Sequence, residues 1–255
     1  MGFLQFVGCF LIAYTIPIVG VYHLVSIRSE LVILSISAAF VWLLSIMLSS
    51  GIWAAFSTGG DALYISLGAF VGVVCQELGR YFFYRVYSIA EAEVIKLREK
   101  SDGSIFIHPF RLGSSALASG IGFGAMNTIV MYGPILAASG GNETYYISSC
   151  SSVNIYVLNA ITSMLYEILH IIMMHIAFVG YRFGNELLVA LVFVLHLATS
   201  ATTWINTSSN GNACAASLTL LTALVVASTL FVVYFARKNS RKSSRSSGSS
   251  SGVVR

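Results

Sequence analysis

Long runs of apolar residues dominate the chain and alternate with short polar stretches. A helix needs about 20 mostly apolar residues to cross the hydrocarbon core of a bilayer. Seven runs reach that length, and the fourth, rich in Gly, Ser and Ala, is the least hydrophobic. Because they are continuously apolar rather than alternating, they predict transmembrane helices and not the strands of a β-barrel. The predicted spans are Phe3–Val25, Leu31–Phe56, Ala62–Val86, Leu112–Pro134, Ser151–Gly180, Gly184–Trp204 and Ala213–Ala236.

Composition supports this interpretation. Hydrophobic residues make up 56% of the 255 residues and charged residues only 9%, whereas a soluble domain carries about 25% charged residues. This excludes a soluble globular enzyme, a disordered chain and a nucleic-acid-binding domain. We therefore predict an all-α, polytopic membrane protein whose transmembrane domain covers residues 1–236. The Ser-rich, basic segment 237–255 predicts a disordered cytoplasmic tail that is attracted to anionic lipid.

The 14 Lys and Arg residues predict the orientation of the chain. Most lie in the tail or in the segment that follows the third span, and none lies in the loops around residues 59–61, 137–150 and 206–212. By the positive-inside rule, the C-terminus is cytoplasmic and the N-terminus lumenal or extracellular. No basic residue precedes the first span, which favours a signal-anchor over a cleaved signal peptide.

The predicted lumenal loops contain further candidate sites. Asn142 and Asn206 begin the two N-x-[ST] sequons and are candidates for glycosylation. Cys150 and Cys214 lie at the same face, where oxidation is permitted. They are candidates for a disulfide, with two free thiols as the alternative. On the opposite side, the polar segment Tyr87–Arg111 predicts a solvated loop with a short surface helix at residues 90–100.

Two residues of opposite charge lie close together within the third span. Glu77 and Arg80 are three residues apart and can pair on one helix face. A charge at mid-bilayer costs at least about 2.5–3.5 kcal/mol, so each needs a physical reason. One interpretation is an internal ion pair, with Arg80 extending toward the headgroups. The other is that one partner reaches a second helix or a reacting water.

Spans five and six carry further ionisable side chains, Glu167, His170 and His196. Neutral histidines can be buried when their ring nitrogens find partners on other helices. Glu77, His170 and His196, a glutamate and two histidines on three different spans, also fit a metal or acid–base site. We favour buried structural histidines, with no metal and no cofactor, because sequence spacing does not show that these residues converge.

The fourth span carries a stripe of small residues at Gly120, Gly124 and Thr128. Lipid supplies no hydrophobic drive for helix association, so close backbone approach and dispersion must supply it. The stripe therefore predicts tight packing against a neighbouring helix. Gly68 and Gly72 in the third span form a second, weaker case.

Taken together, these features resemble the anterior-pharynx-defective subunit of γ-secretase. The resemblance rests on the seven spans, on Gln76-Glu77-x-x-Arg80, on the glycine stripe, on His170, and on His196-Leu-Ala-Thr-Ser200. It extends over the chain to about residue 236 and excludes the tail.

The resemblance implies a non-catalytic scaffold of an intramembrane aspartyl protease complex. In this family the subunit binds nicastrin, holds presenilin and is joined by the presenilin-enhancer subunit. It supports proteolysis of type I membrane proteins such as Notch-type receptors, in endoplasmic reticulum, Golgi and plasma or endosomal membranes. The only aspartates here, Asp61 and Asp102, lie in predicted loops, so this chain is not itself the aspartyl protease.

The resemblance also assigns residues to assembly. The glycine stripe carries over to Gly120, Gly124 and Thr128, although Thr128 stands where the family pattern has a third glycine. The family's membrane histidines carry over to His170 and His196. Glu167 is not part of that pattern and receives no role from it.

Two other functions remain open. Glu77, His170 and His196 distantly resemble the site of intramembrane CAAX-type endopeptidases, in which Glu77 would activate water and the histidines would position it or stabilise an oxyanion. Gln76, however, stands where that superfamily has its first glutamate, and an amide cannot act as a base. A seven-helix receptor fits only the number of spans and the sequons.

Overall fold

The computed structural model describes residues 2–56, 62–101, 111–141, 145–208 and 210–249. In this part of the chain the regular structure is helical, apart from one isolated bridge between Ile147 and Cys150. A π-helical turn, Val21–Val25, extends the first helix, and a 3₁₀ turn, Thr203–Thr207, extends the sixth. The α-helices are α1 Gly2–Gly20, α2 Ser29–Phe56, α3 Ala62–Ser101, α4 Leu112–Ala138, α5 Ile155–Arg182, α6 Glu186–Thr202 and α7 Ala213–Ser249.

These helices confirm the predicted all-α, multi-span fold. Within the described residues, six helices are long and apolar enough to cross a membrane. The remaining helix, α3, is 40 residues long and contains the predicted third span. Its described part carries three charged side chains over a short distance, Glu77, Arg80 and Arg85, which reduce its apolar character. The orientation of the termini stays a prediction.

Helix α5 lies at the centre of the molecule and contacts α1, α3, α4, α6 and α7. Half of its most apolar stretch is buried, against 17% for the outer helices α1 and α7. One core cluster joins α5 to α6 and α7, a second joins it to α2, α3 and α4, and a third joins it to α1 and α4. A residue on α5 can therefore meet partners from most of the bundle.

A tight turn sets α6 beside α5. Gly184 adopts a left-handed backbone, φ 59°, which glycine tolerates at the end of a helix. The backbone N–H of Asn185 donates to the carbonyl of Gly180 at 2.8 Å. The Asn185 side chain then accepts from the N–H of Leu188 at 3.3 Å and caps α6. This short connection makes α5 and α6 antiparallel neighbours and brings their inward faces together.

Two segments differ from the sequence-based interpretation. Residues 90–100 do not form a separate surface helix, because α3 continues without a break to Ser101. Part of that continuation is buried, with Glu91 only 3% exposed, so it is not a solvated loop. Helix α7 likewise runs on to Ser249, beyond the predicted end of the last span. The disorder predicted for the tail stays a prediction.

Candidate assembly site

The glycine stripe of α4 lies directly against α5. A Cβ atom added at Gly120 would come within 2.8 Å of the Ile171 Cα. A Cβ added at Gly124 would lie 3.1 Å from both the carboxyl carbon and the backbone oxygen of Glu167. Backbone atoms cannot move aside as a flexible side chain can. The close approach of α4 to α5 therefore depends on the absence of side chains at these two glycines.

The opposite face of α4 uses a third glycine, which the stripe did not include. A Cβ added at Gly122 would overlap the backbone carbonyl of Ser35 on α2. Two residues along a helix correspond to a rotation of about 200°, so Gly122 faces away from Gly120 and Gly124. The alternating glycines of Gly120-Ile-Gly-Phe-Gly124 carried this signal. Helix α4 is consequently held closely by α2 on one side and by α5 on the other.

Thr128 continues the stripe and supplies a polar contact. Its hydroxyl donates to Oε2 of Glu167 at 3.2 Å, and both residues have no exposed surface. The other carboxyl oxygen of Glu167 has no hydrogen-bond partner among the described residues. The sequence assigned no role to Glu167. The structure places it at the contact between α4 and α5.

Glu77 joins two helices through its carboxylate. Oε1 of Glu77 lies 2.7 Å from Nδ1 of His196 on α6, and the same oxygen lies 3.4 Å from Nη2 of Arg80. Because a carboxylate only accepts hydrogen bonds, Nδ1 of His196 carries the hydrogen in this contact. The ion pair within α3 and the contact with a second helix are thus both present, but the fully buried Arg80 does not extend toward the headgroups. Glu77 pairs with Arg80 on its own helix and also reaches a second helix.

Arg80 and His170 complete the cluster. The Arg80 side chain is fully buried, and its guanidinium carbon lies 4.9 Å from the centre of the Phe123 ring on α4. The rings of His170 and His196 are 5.5 Å apart and perpendicular. Glu77, Arg80, His170 and His196, singled out separately in the sequence, therefore form one polar cluster that links α3, α5 and α6 and rests against α4.

The cluster borders a partly open cavity of about 430 Å³ lined by residues of α2 to α6. His170 and His196 line it, together with hydroxyl and amide side chains that include Asn127, Asn159 and Ser200. Nδ1 of His170 has no hydrogen-bond partner among the described residues. The cavity wall thus presents polar groups among apolar ones, in contrast to the aliphatic packing between α5 and α7.

The chemical capacity of the cluster is limited. No group of three or more His, Cys, Asp or Glu side chains in the described part of the chain is arranged to hold a metal ion. Gln76 is occupied as well, since its side-chain oxygen accepts from the indole N–H of Trp42 at 3.1 Å. The cluster of Glu77, Arg80, His170 and His196 has one carboxylate, that of Glu77, and a cation and a histidine hold it. A second buried carboxylate, that of Glu167, lies one turn before His170 on α5 and accepts a hydrogen bond from Thr128. These contacts tie the helices together.

An ion pair that sequence reasoning missed joins α3 to α5 beyond the predicted third span. The Glu91 carboxylate contacts the Arg182 guanidinium and accepts a hydrogen bond from Tyr87 at 3.1 Å. Burial raises the pKa of Tyr87 to about 12, so its hydroxyl keeps the proton that it donates. Nothing in the sequence distinguished Glu91 from the other charged residues of this segment. We call Tyr87, Glu91 and Arg182 the α3–α5 clamp.

The structure joins the candidate cysteines at the other end of the bundle. Cys150 and Cys214 form a disulfide, with Cα atoms 5.3 Å apart, and the N–H of Cys214 donates to the carbonyl of Ser149 at 3.0 Å. Asn206 lies nearby in the 3₁₀ turn and is partly buried, with its side-chain oxygen enclosed. Asn142, the other candidate for glycosylation, lies outside the described residues.

Comparison with known proteins decides the family. The model of the family described as Aph-1 protein matches residues 4–239. This chain belongs to the Aph-1 family. The match covers all of the residues in the glycine stripe and in the polar cluster.

Curated members of the Aph-1 family align with most of the chain. The Arabidopsis thaliana protein named γ-secretase subunit APH1-like is 28% identical over 208 residues, covering 81% of this chain and 82% of that protein. The human γ-secretase subunit APH-1B is 28% identical over 228 residues, covering 85% and 84%. The Drosophila melanogaster γ-secretase subunit Aph-1 is 26% identical over 202 residues, covering 79% and 81%.

Proposed function

We propose that this chain is the Aph-1 subunit of a γ-secretase complex and acts as its non-catalytic membrane scaffold. In this role it stabilises presenilin and nicastrin, is joined by the presenilin-enhancer subunit, and supports cleavage of type I membrane proteins of the Notch type. The observation that carries the proposal is the family match over residues 4–239. The names of relatives from a plant, a human and a fly support the same role.

The contacts within the chain are consistent with a scaffold. The Glu77 carboxylate is engaged by Arg80 and His196. A scaffold needs helices whose relative positions are set before partners bind. The glycine contacts of α4 and the polar cluster provide such rigidity, because both are lost if a helix shifts by a fraction of a turn.

The direct test is affinity purification of the tagged chain in mild detergent, followed by mass spectrometry of the proteins that accompany it. We expect presenilin and nicastrin in amounts close to equal with the chain. A chain that purifies alone, intact and monodisperse, would overturn the scaffold role. A second test replaces both His170 and His196 by alanine. We expect this double variant to reduce the amount of assembled complex and its proteolytic activity.

The proposal includes a topology and a location. The C-terminus is cytoplasmic, the N-terminus is lumenal or extracellular, and the complex resides in endoplasmic reticulum, Golgi and plasma or endosomal membranes. The distribution of Lys and Arg supports this orientation. An epitope added after residue 255 should be digested by protease in sealed microsomes without detergent. Protection of that epitope would reverse the assignment.

A second candidate is an intramembrane endopeptidase of the CAAX type. The contact of 2.7 Å between Glu77 and His196 favours it, because a carboxylate paired with a histidine is the beginning of a water-activating site. Against it stand Arg80, which holds the charge of Glu77, and Gln76, which occupies the position of a second base. Peptidase activity of the pure chain that is lost in Glu77→Gln would establish this candidate. If the pure chain has no peptidase activity, the scaffold role is the one candidate left.

A further inference from the structure

An open groove of about 720 Å³ runs between α3 and α6. Its volume is in the range of small-molecule sites, roughly 300–1,000 Å³. Aliphatic and aromatic side chains form both walls, and a lipid or a protein segment could reach it from the side of the bundle. The side chains of the two walls include Val74, Leu78 and Tyr81 from α3 and Val189, Ala190 and Phe193 from α6.

Both free charges of the groove lie at one end. Arg85 lies next to the predicted end of the third span, and Glu186 begins α6. Since α3 and α6 are antiparallel, these two positions lie at the same end of the helix pair. Both side chains line the groove and both residues are exposed. Among the described residues neither has an ion-pair partner. Glu77 also lines the groove, but Arg80 and His196 already engage it.

The opposite charges on the two walls, with an apolar trough leading away from them, match one kind of molecule. A zwitterionic phospholipid carries a phosphate and an ammonium a short distance apart on top of acyl chains. Arginine recognises phosphate through its planar set of donors, and a carboxylate accepts from an ammonium. Tyr81, one turn before Arg85 on α3, and Tyr181 also line the groove, and tyrosines are common at the headgroup level of a bilayer.

We propose that this groove binds a zwitterionic phospholipid, with the phosphate on Arg85, the ammonium on Glu186 and an acyl chain between α3 and α6. The transmembrane helix of a partner protein would fill the apolar trough but would leave both charges without partners at the membrane interface. An anionic lipid would satisfy Arg85 and would meet repulsion from Glu186. The site is therefore selective for the headgroup. This inference goes beyond the proposed function and does not depend on it.

Photolabelling tests the site on the full chain, purified in mild detergent with the proteins that accompany it. The probe is phosphatidylethanolamine with a diazirine in one acyl chain, and labelled peptides are mapped by mass spectrometry. We expect label on residues 74–85 and 186–193. Unlabelled phosphatidylethanolamine should compete with it better than phosphatidylglycerol with the same acyl chains, because phosphatidylglycerol lacks the ammonium.

Substitutions at the two charges separate their roles. Arg85→Gln should weaken competition by both lipids about tenfold, the loss expected for one charge-assisted hydrogen bond. Glu186→Gln should weaken competition by phosphatidylethanolamine and should leave competition by phosphatidylglycerol unchanged or make it stronger. The preference for phosphatidylethanolamine would then be lost. Lys96→Gln is the matched control, because Lys96 is an exposed cation on the same helix that lies outside the groove and pairs with Glu93. This control should not change competition by either lipid.

A second pair of variants tests the trough. Ala190→Phe fills it and should abolish labelling, whereas Ala201→Phe, eleven residues further on the same face of α6, should not. Equal labelling of all variants would show bulk lipid only and overturn the proposal. Groove peptides that are unlabelled and instead cross-link to an accompanying protein would also overturn it, since the groove would then be a protein interface. Neither outcome bears on which subunits copurify.

Discussion

Arg80 is the residue of the polar cluster whose burial most needs compensating groups, because it is a cation. Its guanidinium is a cationic group with five N–H donors and is fully buried within a span. A carboxylate at 3.4 Å and an aromatic face at 4.9 Å are the groups that balance its charge. Glu77 is therefore required by Arg80 as much as by His196. The pair is best understood as one unit that anchors α3.

Glu77→Gln should destabilise the protein by about 3 kcal/mol or more, since removing one partner of a buried ion pair leaves the other charge uncompensated. His196→Asn should cost less, because Glu77 and Arg80 remain paired. The midpoint of thermal unfolding, followed by size-exclusion chromatography in detergent, measures both effects.

The double variant Glu77→Gln, Arg80→Met isolates the charge. We expect it to be more stable than Glu77→Gln alone, because no cation is then left unpaired in the interior. A double variant that loses the sum of the two single effects would contradict the idea that Glu77 and Arg80 act as a unit.

At the scale of elements, α4 carries glycines on the faces that contact α5 and α2. Gly120 and Gly124 meet α5, and Gly122 meets the backbone of α2. In a bilayer such contacts stabilise association through dispersion, which depends steeply on distance. A side chain at any of these positions separates two helices along their whole length of contact.

Gly120→Leu and Gly124→Leu should each lower stability by about 1–3 kcal/mol through overpacking and reduce copurification of partner proteins. Gly133→Leu is the matched control on the same helix, because a Cβ there would meet only the Tyr14 hydroxyl at 3.7 Å. Normal stability and assembly in the Gly120 and Gly124 variants would show that the stripe is not a packing interface.

A second element, the end of α3 beyond residue 86, depends on the α3–α5 clamp. Glu91 is almost fully buried, and Arg182 is its one cationic partner among the described residues. The exposed pair of Lys96 and Glu93, 2.8 Å apart, lies on the same segment. Exposed pairs contribute about 0–1 kcal/mol, whereas the loss of a buried partner costs more.

Arg182→Gln should therefore loosen this end of α3, which would appear as faster hydrogen exchange of backbone amides in residues 87–97. Lys96→Gln should leave exchange there unchanged. Equal exchange in the wild type and in Arg182→Gln would mean that packing of the aromatic side chains, and not the ion pair, holds the segment.

At the scale of the whole molecule, α5 organises the bundle and the disulfide closes one end of it. Cys150 precedes α5 and Cys214 lies in the first turn of α7, 64 residues further along the chain. The bond therefore encloses α5 and α6 completely. It ties the central helix to an outer helix that packs against it through two apolar clusters.

Cys150→Ser should lower the midpoint of thermal unfolding. The corresponding loss in the free energy of unfolding has an upper limit of about 4 kcal/mol, the stabilisation expected from closing a loop of this length. Cys214→Ser and the double variant should match it, since each removes the same bond. The variant Cys75→Ala controls for the loss of a thiol, because Cys75 is free. Alkylation of Cys150 in the native protein without reductant would contradict the assignment.

Much of the architecture could be predicted from the chain. The predicted start of α2 lies within two residues of the observed one, and that of α7 coincides with it, because hydrocarbon requires long apolar helices with every backbone group bonded internally. The side chains of the polar cluster could be selected in advance for the same reason, as each is costly in lipid. Prediction failed beyond residue 86, where a charge-rich sequence continues as helix and buries Glu91.

The sequence by itself determined the class of fold, the number of long helices, and most of the polar side chains within the spans that need partners. Tertiary structure decided which partners they have: His196 meets Glu77, Gly122 meets Ser35, and Arg182 meets Glu91. The physical reason lies in the solvent. Since lipid is as apolar as a leucine side chain, hydrophobicity does not reveal which face of a membrane helix is turned inward. Only the packing of all the helices together sets their rotation and order.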